Sequence, residues 1–142
     1  MTEVSKQYTI DLTRLETAVY RATNSAGASI EFGSSEGLLS PVELLLAAVA
    51  GCSAVDVDVV TSRRAEPESF DVHVEGDRVN EDGASRLSEV RVGFDLSFPD
   101  TPEGNQARRM VDNLIRISHE KDCTVSRTVE NPTQVAFRND SK

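Results

Sequence analysis

The side chains with the most chemistry open to them are two thiols, Cys52 and Cys123. A thiolate is a strong nucleophile and climbs readily through the sulfenic acid and disulfide states. Cys52 sits in "AVAGCSA", a run of small residues that lets another chain segment approach closely. Gly51 in that run costs about 1 kcal/mol of helix stability relative to alanine. At 100° per residue, Cys52, Ser53 and Asp56 share one side of a helix, the only polar side it has near its middle. A free cysteine also packs as a small hydrophobe, so a structural role and a reactive one both stay open for Cys52 at this point. Cys123 follows Asp122, which can cap a short helix and so place the thiol in its first turn. Unpaired N–H groups there favour a thiolate, while the Asp122 charge opposes it. The two cysteines lie far apart in the chain, and a bridge needs Cα atoms within about 7 Å, so only the fold can join them.

Other chemistry has little support. His73 falls on the polar face of a strand, and His119 lies beside Arg116 and Lys121 near a helix end, where basic groups suit the dipole. Neither histidine has a partner at metal-ligand spacing, so both read as solvated surface residues and no metal is expected. There is no P-loop or G-x-G-x-x-G, which leaves nucleotide chemistry without a basis.

The thiols must be positioned by a small set of elements. Tyr8, Ile10 and Leu12 alternate with polar residues, "ETAVYRATN" is a second strand ending at the turn-prone "NSAGA", and Ile30 and Phe32 mark a third. After the loop "GSSEGLLS" a helix begins, with Ser40 as cap, Pro41 in the first turn and Glu43 closing an S-x-x-E capping box. From Leu44 to Val60 only Ser53, Asp56 and Asp58 are clearly polar, so this helix is expected to be buried nearly all round, in a domain or an oligomer, and to stop before Pro67. Phe70, Val72 and Val74 alternate with polar residues, as do Val90, Val92, Phe94, Leu96 and Phe98 across the turn "NEDGAS", giving an antiparallel hairpin with one wet face. "PDTPEG" leads to an amphipathic helix carrying Ala107, Met110, Val111, Leu114 and Ile117. A short helix near Cys123 and a last strand, "TQVAFRN", complete the order βββ-α-ββ-α-α-β, which indicates an α+β fold in a single domain.

The bulk properties fit. A chain of 142 residues, 38% apolar and 27% charged, suits one globular domain that buries roughly 70% of its unfolded surface. The net charge of −9 makes nucleic acid and anionic membranes poor partners. No uninterrupted apolar run reaches the ~18 residues of a membrane span. The N-terminus lacks the pattern of a signal peptide, so the expected address is the cytoplasm, where thiols stay reduced.

"SPVELLLAAVAGCSAVDV" followed later by "CTVSRTV" resembles the OsmC/Ohr superfamily of osmotically inducible and organic-hydroperoxide-resistance proteins, most closely its less characterised OsmC-like branch. That family pairs a buried helix bearing the first cysteine with a second cysteine opening a C-x-x-S turn. The resemblance, covering residues 8–139, implies an intertwined homodimer with the central helices packed together and the active sites at the subunit interface. It implies a thiol peroxidase of oxidative or osmotic stress defence. Cys52 would attack a hydroperoxide and become a sulfenic acid, and Cys123 would condense with it to a disulfide. A dithiol such as a lipoyl group would reduce the bridge, with no cofactor, metal, haem or flavin, and alkyl or lipid hydroperoxides would be the substrates.

The family stabilises its first cysteine with an arginine from the N-terminal sheet, held by a glutamate ten positions before that cysteine. Val42 stands at the glutamate position here, and Glu43 is one place away, a rotation of about 100° on a helix. Arg21 on the second strand is the candidate arginine, with Arg127 as an alternative. Burial raises a thiol's pKa and Asp56 disfavours a thiolate, so a cation near Cys52 is expected. The competing reading is an OsmC-fold dimer that binds a small hydrophobic or electrophilic ligand, with Cys52 redox-sensing or inert.

Overall fold

A computed structural model describes residues 2–141, which fall into two units, Met1–Leu45 and Leu46–Lys142. The α+β reading holds, with two antiparallel sheets and three α-helices among the described residues.

The first unit is a three-stranded antiparallel sheet of β1 (Ile10–Glu16), β2 (Val19–Asn24) and β3 (Ser29–Gly33), in that order. Tyr8, expected inside the first strand, precedes it. The β2–β3 turn is shaped by Asn24, whose side-chain oxygen accepts from the N–H groups of Ala26 and Ala28, and by Gly27 in the left-handed region at φ 94°. Gly33 passes so close to the Ala18 carbonyl that a Cβ would collide with it. Tyr20 faces Phe32 across the strands with ring centroids 6.1 Å apart, and Val19 and Phe32 are buried. Arg21 lies directly opposite Glu31 and pairs with it at 2.9 Å.

The α-helix α1 (Pro41–Thr61) starts with the capping box expected from its sequence. The Ser40 N–H donates to Glu43 Oε1 at 2.8 Å, and the Glu43 N–H donates to Ser40 Oγ at 3.2 Å. The expected burial nearly all round is not found within the single chain: only Val49, Ala50, Val57 and Thr61 are buried, and Val42, Leu45, Val55 and Val59 are exposed. By length and composition α1 would also cross a bilayer, a property it shares with the core helices of soluble proteins.

In the second unit β4 (Ser69–Glu81) and β5 (Ala84–Ser97) form a long antiparallel hairpin. Its two-residue turn is Asp82–Gly83, with φ of 50° and 84°, the tight type that matches strand twist. The strands therefore run further than the apolar alternation indicated, because Arg86 and Glu81 clasp at 2.7 Å and Arg91 pairs with Asp77 and Glu75 on the wet face. The other face carries Phe70, Val72 and Val74 opposite Leu96, Phe94 and Val92. The helix α2 (Pro102–Ile117) is capped by Thr101, whose side chain accepts from the Gly104 N–H at 3.0 Å. Gly104 lies against the Pro99 carbonyl, where no side chain fits, and Ala107 is fully buried.

After α2 the chain makes one π-helical turn, Ser118–Asp122, before the short helix α3 (Thr124–Glu130). Two expectations are corrected here. Asp122 does not cap α3; it belongs to the π turn, and the cap is Cys123, whose sulfur accepts from the Ser126 N–H. The expected last strand at residues 133–139 has no regular structure, and Val135 and Phe137 are exposed, the latter by 93%. A strand exists only by pairing, and among the described residues no sheet edge pairs with this segment.

Candidate active site: a paired dithiol

The fold does bring the two distant cysteines together within the second unit. Cys52 comes from the middle of α1, and Cys123 from the joint between the π turn and α3. Both are free thiols. Cys52 is half-buried and Cys123 is 0% exposed. The two sulfurs lie close enough for each to shift the other's ionisation.

The surroundings separate the two sulfurs electrostatically. Burial pushes the Cys52 thiol above its ordinary value; the Val125 N–H offsets part of this, and the Cys123 sulfur and the Asp56 carboxylate push it up further. Burial also acts to raise Cys123. It is outweighed by the Ser126 hydroxyl and N–H and by hydrogen bonds from Cys52 and Ser53, so Cys123 lies below the ordinary thiol range. The Ser126 oxygen is 3.1 Å and its nitrogen 3.4 Å from the Cys123 sulfur. Polar atoms thus converge on the two sulfurs and shift them in opposite directions.

A second hydrogen-bonded group supports this one. Ser118, 1% exposed, donates its hydroxyl to Asp56 Oδ2 at 2.7 Å and lies 3.3 Å from Ser53 Oγ. Its carbonyl accepts the Cys123 N–H at 2.8 Å. Beside the thiols runs a cleft of about 250 Å3 lined by Val90, Val92, Phe94 and Ile115, by Ser53 and Ser126, and by the basic residues Arg116 and His119. His119 pairs with Glu130 at 2.6 Å on the exposed side of the π turn, as a surface histidine would.

Three further residues were expected at the site: Glu43, Arg21 and Arg127. Glu43 is held in the capping box by Ser40, whose N–H lowers the glutamate's pKa. Arg21 is paired with Glu31 in the N-terminal sheet. Arg127 is exposed and lines a surface cleft with Lys121 and Thr124. Among the described residues of the second unit, no Lys, Arg or His donates to either sulfur. No cluster of potential metal ligands occurs among the described residues.

Two residues of the site were not singled out from the sequence. Ser126 was visible only as the last letter of C-x-x-S. Ser118 had no signal, since a serine at the end of an amphipathic stripe looks like a helix terminus.

Comparison with known proteins agrees with this architecture. No curated protein matches the chain. A hypothetical protein from Aquifex aeolicus VF5 superposes with a TM-score of 0.70 at 23% identity, over 88% of each chain. An OsmC-like protein of unknown function from Vibrio cholerae superposes with a TM-score of 0.66 at 16% identity, covering 88% of this chain and 94% of that one. An organic hydroperoxide resistance protein from Elizabethkingia anophelis gives a TM-score of 0.58 at 17% identity, covering 90% and 93%. The sequence model for the OsmC-like protein family matches residues 33–138, a span that takes in α1, the hairpin and both cysteines, and the chain therefore belongs to that family.

Proposed function

We propose that the chain is a dithiol peroxidase that reduces organic hydroperoxides with Cys52 and Cys123 as one redox pair. The observation that carries this reading is the meeting of the two sulfurs, unbridged, with a half-buried Cys52 beside a buried Cys123. The family and the hydroperoxide-resistance protein of the same fold support it.

The geometry suggests how Cys52 reacts without a nearby cation from its own unit. Once Cys123 is ionised, the Cys52 proton passes to its thiolate as the Cys52 sulfur attacks the O–O bond. An S–O bond forms on Cys52, the O–O bond breaks, and the departing alkoxide takes the proton from Cys123 and leaves as the alcohol. The regenerated Cys123 thiolate then attacks the Cys52 sulfenic acid, closing the disulfide and expelling hydroxide. Hydroperoxide is thereby reduced to alcohol and water as the dithiol is oxidised. A small dithiol of the lipoyl class would restore the thiols by exchange. The apolar wall of the cleft beside the pair, Val90, Val92, Phe94 and Ile115, favours alkyl and lipid hydroperoxides. The exposed α1 valines and the unpaired apolar segment around Phe137 favour a homodimer, and a cytoplasmic address fits the reduced thiols.

The test uses Cys52→Ser and Cys123→Ser with cumene hydroperoxide. Cys123→Ser should accumulate a trappable sulfenic acid on Cys52, and Cys52→Ser should form no intramolecular bridge. A second reading, an OsmC-fold dimer binding a hydrophobic or electrophilic ligand, is favoured by Val42 at the family's glutamate position. Survival of both wild-type thiols under excess hydroperoxide would select it.

A further inference from the structure

We propose that Ser118 and Asp56 form a positioning pair that holds Cys123 within bridging reach of Cys52. This rests on the dithiol reading above and adds residues that the cysteine motifs do not contain. Asp56 lies one turn beyond Cys52 on the same side of α1, so its carboxylate is fixed relative to that sulfur by the helix itself. Ser118 opens the π turn on the other side of the site and is held at both ends. Its hydroxyl donates to Asp56 Oδ2 at 2.7 Å, and its carbonyl accepts the Cys123 N–H at 2.8 Å.

Cys123 is thus tied by its own backbone to a residue whose side chain is tied to the helix of Cys52. The widened turn Ser118–Asp122 is what allows Ser118 to do both. In an α-helical continuation the Cys123 N–H would reach the residue four positions back, His119, and Ser118 would lose the contact. The charge on the acceptor makes the Ser118 bond one of the stronger kind, and the burial of Ser118 keeps water from replacing it. Ser53, 3.3 Å from Ser118, ties the π turn to α1 a second time. A disulfide tolerates only a narrow range of Cα separations, so loosening this tie lowers the effective concentration of one thiol at the other.

The experiment measures that concentration without any hydroperoxide, so its outcome is independent of peroxidase activity. Reduced wild-type chain, Ser118→Ala, Ser118→Thr, Asp56→Ala and the Ser118→Ala/Asp56→Ala double variant are equilibrated across mixtures of reduced and oxidised dithiothreitol. The bridged fraction is read by mass after alkylation, with folding checked by circular dichroism. Ser118→Ala is expected to lower the equilibrium constant for the bridge by about tenfold or more, a rise of about 30 mV in potential for each factor of ten. Ser118→Thr, which keeps the hydroxyl, should recover most of the loss. Asp56→Ala should match Ser118→Ala, and the double variant should lose no more than the larger single loss, because both remove one contact. A folded Ser118→Ala within about twofold of wild type overturns the proposal, as does an additive double variant. If Ser118→Ala does not fold, Asp56→Ala reads the same contact from α1, and a near-wild-type value there overturns it equally. Wild-type thiols that stay free in every mixture also overturn it. A normal bridge equilibrium in a chain inert to hydroperoxide would remove the peroxidase function and leave the positioning pair standing.

Discussion

At the scale of single residues, function turns on where one proton sits. The Cys52 thiol is raised by burial, with Asp56 and the Cys123 sulfur adding to it, while the donors around Cys123 lower that thiol. Cys123 should therefore ionise first and Cys52 last. In stability terms, the depressed Cys123 adds stability above the ordinary thiol range that is lost as pH falls through its lowered value. The raised Cys52 adds stability below that range that is lost as pH climbs through its own. Asp56→Asn removes the charge beside Cys52 but keeps an acceptor for Ser118. The pH midpoint of Cys52 alkylation, followed by peptide mapping, should move down in that variant; a midpoint unchanged or moved up would contradict this electrostatic account. Much of the site was legible at this scale: the small-residue run and the polar side shared by Cys52, Ser53 and Asp56 identified one half, and C-x-x-S the other. Ser118 was not legible, because its role comes from a π turn that no spacing in the sequence announces. The expected cation was read from family resemblance; Arg21 pairs with Glu31, Glu43 sits in the capping box, and Arg127 lines an exposed cleft.

At the scale of elements, the start of α1 was fully legible because capping chemistry is local. Ser40, Pro41 and Glu43 do what their order dictates. Ser40→Ala should cost about 1 kcal/mol in chemical denaturation, the usual loss of an N-cap. Glu43 titrates below its ordinary value because it accepts the Ser40 N–H, so this cap is present above the usual glutamate range and lost as pH falls through the lowered value. The Ser40→Ala deficit should accordingly shrink in acid; a deficit independent of pH would contradict the capping box. The hairpin was legible in its apolar alternation but not in its length, since the outer pairs are held by charged residues and by a two-residue turn. The cap of α3 was misread for a physical reason. Aspartate is the commoner cap, but the π turn carries Asp122 past the cap position and leaves the sulfur of Cys123 there.

At the scale of the whole molecule, the expected and observed burial of α1 disagree, and the disagreement points outward. Val55 and Val59 are exposed on a helix otherwise suited to a core, and Phe137 lies on a segment whose apolar alternation finds no strand to join. In the homodimer proposed above, a second copy is expected to cover both. Sedimentation equilibrium of the wild-type chain should give twice the 15.5 kDa chain mass, and Val55→Asp/Val59→Asp should return it to the chain mass; a wild-type monomer at micromolar concentration would remove the dimer. The net charge of −9 should make that association stronger in salt, by screening repulsion between copies.

The most direct test of the central claim is peptide mapping of fully reduced wild-type chain after one equivalent of cumene hydroperoxide. The account requires a single cross-linked species joining the Cys52 and Cys123 peptides, formed as one cumyl alcohol appears per chain. Recovery of both peptides with free thiols, or oxidation of Cys52 that never proceeds to the bridge, would contradict it.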